Sequence, residues 1–132
     1  MNFALTYPHS VAPTRKHLTD AGIDLYSSQE IIIPTHGFGI VHTGVKIEIP
    51  KGYMGQVWPK SRSDYLVAAG IVDESYRGEI LVKVANITNY PLAFGVGTPV
   101  AQLVLVPTIY PSLVEVYLDE FDFVKTERGA SG

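Results

Sequence analysis

The chain has 132 residues, a formal charge of −3 and no cysteine, with 46% hydrophobic and 17% charged residues. This is enough chain for one domain with a buried core. The lack of cysteine excludes disulfides, thiolate chemistry and Cys-based zinc sites, and the mild acidity argues against the basic face of a non-specific nucleic-acid binder.

The N-terminus, Met1 to Pro8, lacks the basic region and apolar run of a secretory signal, and no run is long enough to span a bilayer. A cytoplasmic protein, in a host or a virus-infected cell, is the expectation. Val45-Lys46-Ile47-Glu48-Ile49 alternates cleanly and predicts a strand with Val45, Ile47 and Ile49 on the core face. Pro50-Lys51-Gly52 turns the chain, and Tyr53 to Trp58 returns as a strand. A helical turn is weakly signalled near Ser63 to Leu66. Glu79 to Ile87, rich in β-branched residues, predicts a strand that Thr88-Asn89-Tyr90-Pro91 ends. Val100 to Val106 is nearly all apolar, as in a strand covered on both faces, and Leu113 to Leu118 alternates again. The residues 126–132 are small and polar, as in a mobile tail. Short strands with dispersed Gly and Pro predict an all-β sandwich, jelly roll or barrel. The histidines at 9, 17, 36 and 42 form no helical pair and read as surface or turn residues, with zinc chemistry not expected.

Five segments carry candidate chemistry. Gly70-Ile71-Val72-Asp73-Glu74-Ser75-Tyr76-Arg77-Gly78-Glu79-Ile80 sets a carboxylate, an aromatic and a cation between apolar runs. A turn held by flanking strands suits a general base, which needs a fixed position first; a hairpin with solvated charges is the plain alternative. Ala21-Gly22-Ile23-Asp24-Leu25 reads equally as a turn-capping Asp at a strand start. Pro59-Lys60-Ser61-Arg62-Ser63 offers either donors for an anion or ordinary solvated surface. In Gly97 to Val104, Gln102 is the one polar side chain inside an apolar strand, and Glu127-Arg128 opens the last segment.

In this order the five segments closely resemble the motifs of the trimeric dUTPases, which cleave dUTP to dUMP and pyrophosphate. The resemblance implies an all-β, jelly-roll-like (β-clip) homotrimer, with residues 1–125 as the β domain and 126–132 as a flexible tail. It implies hydrolysis of magnesium-bound dUTP, limiting uracil in DNA and supplying dUMP, with no nucleic-acid or membrane partner. Asp73 becomes the general base. Tyr76 packs on the deoxyribose so that a 2′-hydroxyl would clash. Backbone groups around Gly70, Ile71 and Val72 read the uracil edge, with Leu81 a further contact. Lys60, Ser61, Arg62, Gln102 and Arg128 contact the substrate, chiefly its phosphates. Asp24 orients a metal-bound water, and Mg²⁺ is held by phosphate oxygens and waters rather than directly by the protein.

Arg62 stands where the family has a small residue, Ser63 is an alternative to Ser61, and the connection to Asp73 is shorter than usual. In the family the fifth motif continues into a Phe-Gly-Ser-Thr-Gly lid; the sequence stops before it, so this form is expected to bind dUTP but turn it over slowly. A nucleotide-binding or regulatory protein with weak turnover is the alternative. The related dCTP deaminases carry a catalytic Glu where this chain has Lys83, which makes deamination the weaker reading.

Overall fold

The computed structural model describes residues 1–61 and 63–123. Among them are ten strands: β1 (Phe3–Leu5), β2 (Gly22–Tyr26), β3 (Ile31–Ile33), β4 (Phe38–Ile47), β5 (Tyr53–Trp58), β6 (Leu66–Val67), β7 (Gly70–Val72), β8 (Glu79–Ala85), β9 (Leu92–Phe94) and β10 (Pro99–Pro107). One short helix, α1 (Leu118–Phe123), follows. One antiparallel sheet has the order β1-β4-β8-β6, a second β2-β10-β5-β7, and β3 pairs with β9. No helix of the described residues is long and apolar enough to cross a membrane.

Period-two alternation builds the core. Val45, Ile47 and Ile49 are buried as the alternation predicts, with Lys46 and Glu48 exposed between them. Val41, Val82 and Val84 of the first sheet join Leu25 and Leu103 of the second in one cluster, each at 0% exposure. This is the all-β sandwich that the composition predicts.

Several expectations are corrected. β8 ends at Ala85 rather than at Ile87, because Asn86 turns inward. Its Nδ2 donates to the carbonyls of Ile33 (3.1 Å) and Tyr90 (2.8 Å), and its Oδ1 accepts the Thr88 N–H (2.9 Å). The helical turn near Ser63 is absent: Ser63 N–H closes a turn on the Lys60 carbonyl (3.1 Å), and the chain then enters β6. β10 is covered on both faces only at Val100 and Ala101; Val104, Leu105 and Val106 are half-buried. Leu113 to Leu118 forms no strand. Leu113 is 96% exposed and α1 begins at Leu118, because no described strand reaches this stretch to pair with it. His42 is no free surface residue: its Nδ1 pairs with Glu79 at 3.1 Å. The tail, 126–132, with Arg128, lies outside the described residues, as does Arg62.

The turn carrying Asp73 is not a hairpin. β7 pairs with β5 (Val72 opposite Gly55, Gly70 opposite Val57), whereas β8 pairs with β4 and, at its far end, with β6 (Val84 opposite Val67). The two strands leave one turn and enter different sheets.

Candidate active site

Between β7 and β8 lies a slot of about 360 Å³. Gly70, Ile71 and Val72 form one wall, and Glu79, Ile80, Leu81 and Lys83 the other. β7 is the edge of its sheet, and β6 covers β8 only beyond Val82. The strand edges facing the slot therefore keep backbone N–H and C=O groups that no strand takes up. In a fold where nearly every such group is paired, these are ready to hydrogen-bond a planar ligand.

The turn at one end of the slot is braced from within. Tyr76 N–H donates to the Asp73 carbonyl (3.0 Å), and the Tyr76 hydroxyl donates to the Glu79 carbonyl (2.7 Å). The Tyr76 ring lies over Gly78, where a Cβ would sit 2.4 Å from its hydroxyl oxygen, so any larger residue there must displace the ring. Arg77 Nη1 donates to the carbonyls of Glu74 (2.7 Å) and Tyr76 (3.1 Å). The cation thus stiffens the turn rather than neutralising Asp73, whose side chain faces solvent. Glu74 Oε2 accepts the Gly52 N–H (2.7 Å), joining this turn to the β4–β5 turn. Glu79 accepts from the Gly44 N–H (2.8 Å) and the Tyr7 hydroxyl (3.3 Å), tying the base of the turn to β4 and the N-terminal segment. Partial desolvation, then the Glu74 and Asp73 carboxylates, hold the Tyr110 phenol above its usual range.

A second cluster joins three other segments. Asp24 on β2, Gln102 on β10 and Trp58 on β5 are neighbours in register across three strands. Gln102 crosses β2: a Cβ on Gly22 would lie 1.7 Å from its Oε1, so Gly22 makes room for that amide. Gln102 Nε2 donates to the Pro59 carbonyl (2.9 Å), and Lys60 Nζ pairs with Asp24. Ser61, exposed, follows directly. The loop beyond is held by Tyr65, whose hydroxyl donates to the Val100 carbonyl (2.8 Å) and whose ring meets Phe94 edge-on at 5.2 Å. Burial, with a smaller contribution from Asp64, pushes that phenol up to about 12, so it stays a neutral donor.

The structure brings Asp73, Tyr76, Gly70, Ile71, Val72 and Leu81 together, and separately Asp24, Lys60, Ser61 and Gln102. It does not bring the two groups to one place. The first is built on β7 along one edge of β5 and the second on β10 and β2 beyond its other edge, so β5 lies between them. Sequence reasoning assigns no site role in this chain to Lys83 or to the tie between Gly22 and Gln102; for Lys83, the match to the catalytic position of the related deaminases is the available signal. Among the described residues no three His, Asp or Glu side chains gather as a ligand set, and Asp24 is engaged by Lys60. A protein-caged ion does not fit these side chains, whereas a cation carried on phosphate oxygens needs no such cage.

The profile of the dUTPase family matches residues 9–132. The chain is 36% identical over 132 residues to the deoxyuridine 5'-triphosphate nucleotidohydrolase of Candida albicans, covering 97% of this chain and 82% of that one. The protein of the same name from Mycolicibacterium gilvum is 38% identical over 133 residues, covering 95% and 86%. A mutant dUTPase from phage phi11 of S. aureus, studied for its coordination of a structural Mg(II) ion, superposes with a TM-score of 0.82 at 23% identity, covering 87% and 95%. That likeness speaks for the fold, and the sequence matches speak for the lineage. With both extending over nearly the whole chain, the protein belongs to the dUTPase family.

Proposed function

We propose that this protein hydrolyses dUTP to dUMP and pyrophosphate, in the cytoplasm. The observation that carries the reading is the slot whose walls are unpaired strand edges and whose end holds Tyr76 beside Asp73. Backbone donors and acceptors fixed by two different sheets can match the uracil edge, and a base that mismatches them leaves buried polar groups unpaired. Tyr76, braced through its hydroxyl, is placed to pack on the deoxyribose.

In this reading Asp73 accepts a proton from water as the water oxygen bonds to the α-phosphorus. The bond from that phosphorus to the bridging oxygen breaks, and pyrophosphate leaves. Lys60, Ser61 and Gln102 meet the triphosphate, and Arg62 and Arg128 belong to the same assignment. Lys60 exchanges part of its contact with Asp24 for a phosphate oxygen, which frees Asp24 to orient a water. Mg²⁺ carried on the phosphate oxygens of the substrate would lower the charge that these side chains must offset.

The two groups of residues sit on opposite edges of β5, so a complete pocket needs a neighbouring copy. The exposed arm of Ile109, Leu113, Val114, Tyr117 and Phe121 offers apolar surface for that contact. A homotrimer satisfies both requirements. Pyrophosphate release from dUTP, dCTP, dTTP and UTP tests the reading, with Asp73→Asn beside the wild type. The wild type should be active on dUTP alone, and the variant should lose roughly 10²–10⁴-fold in rate while still binding an α,β-imido dUTP analogue. Binding without turnover in the wild type would instead indicate a nucleotide-binding protein.

A further inference from the structure

Lys83 lines the slot at the end away from Tyr76. The slot is bounded by β7, the Tyr76 turn, β8 and the Ala68–Ala69 crossing from β6 to β7. Ala68 N–H donates to the Lys83 carbonyl (2.9 Å), which puts Lys83 beside the crossing. Four residue steps along β8, about 13 Å of strand, separate it from Glu79 at the turn. Leu81 and Lys83 share the exposed face of β8, while Ile80, Val82 and Val84 face the core. Among the described residues Lys83 forms no ion pair.

A pyrimidine nucleoside fits this outline in one direction. With its sugar on Tyr76, the base points along β8 toward the crossing. The ring atom opposite the glycosidic nitrogen is C4, so its substituent is the part of the base farthest from the sugar. That substituent is a carbonyl in uracil and an amino group in cytosine. An ammonium has three donors and no acceptor. It satisfies the carbonyl, but against the amino group it sets donor to donor and leaves both desolvated and unpaired.

We infer that Lys83 is a specificity-determining residue, whose ammonium reads the 4-carbonyl of the base and rejects cytosine. This rests on the uracil-nucleotide reading above and adds a side-chain reader to the backbone edges. Thymine carries the same 4-carbonyl, so Lys83 separates uracil from cytosine and leaves the exclusion of thymine to the walls around C5.

The test compares wild type, Lys83→Met and Lys83→Arg by calorimetric binding of the α,β-imido analogues of dUTP, dCTP and dTTP, which needs no turnover. Lys83→Met keeps the length and apolar stem and removes the donors. It should lower the dUTP-over-dCTP affinity ratio by roughly tenfold or more. The dUTP-over-dTTP ratio should stay within about twofold. Lys83→Arg should retain most of the discrimination against the dCTP analogue. An unchanged dUTP-over-dCTP ratio in Lys83→Met, or an equal collapse of both ratios, would overturn the assignment. A wild type that binds the dUTP analogue but releases no pyrophosphate would sink the hydrolysis reading, while the affinity ratios would still decide the role of Lys83. A wild type that binds no analogue would overturn both.

Discussion

Tyr76 shows how a single residue is placed for its proposed task. Its hydroxyl is spent on the Glu79 carbonyl and its ring on Gly78, so it presents a fixed face to the slot. Tyr76→Ala opens the space where a ribose 2′-hydroxyl would sit, and the dUTP-over-UTP preference in kcat/KM should fall by roughly tenfold or more, with weaker dUTP binding from lost packing. The same ratio in both proteins would mean that the sugar is read elsewhere. Asp73 stood out in the sequence as a carboxylate in a short turn, whereas the proposed role of Tyr76 came from the resemblance to the dUTPases. The engagement of Gln102 with Gly22 was not legible, since the two lie 80 positions apart and meet only through the pairing of β2 with β10. Arg77 also reads differently in three dimensions: in sequence it is a cation near a carboxylate, in the fold a clamp on two carbonyls.

At the scale of elements, the split of β7 and β8 between two sheets makes the slot, and the loop from Lys60 to Val67 sets the second cluster. Tyr65 holds that loop to β10 through the Val100 carbonyl. In the folded chain its proton is held up to about 12, against 10.0 for the free phenol. Between those values the unfolded chain has lost a proton that the folded chain keeps. The stability this group contributes is therefore fully present below about pH 10 and is lost as pH rises toward about 12. Because the ring is only half-buried, the effect is modest. Tyr65→Phe should flatten the alkaline fall in urea-unfolding stability between about pH 10 and 12 and cost about 1 kcal/mol at pH 8 from the lost hydrogen bond. An alkaline slope as steep as that of the wild type would assign it to other tyrosines. The strands themselves were readable where apolar residues alternate, as in Val45 to Ile49. Leu113 to Leu118 alternates too, yet forms no strand, because alternation states which face is apolar and not whether a partner edge is within reach.

For the whole molecule, β5 separates the two halves of the site. A single chain holds the base slot along one edge of β5 and the phosphate-side cluster beyond the other, which supports assembly from several copies. Leu113→Asp combined with Val114→Asp puts charge on the apolar arm and should shift the mass measured by light scattering from trimer toward monomer. Turnover should fall in parallel, while the melting temperature of the subunit changes little, since both side chains are exposed. A trimer that survives both charges would place the interface on another surface.

What the sequence by itself determined was the all-β class, the inward-facing positions of the regular strands, and a carboxylate in a short turn that suits a general base; the sugar and phosphate roles came from the resemblance to the dUTPases. The first three depend on local periodicity and on the chemistry of single side chains, both of which can be read along the chain. Only the tertiary structure decided that the Asp73 turn opens between two sheets, that Gln102 crosses Gly22, that Lys83 faces the slot, and that the site divides across β5. Each of these depends on strand order and register, which are set by the burial of both sheets against one core rather than by any one segment.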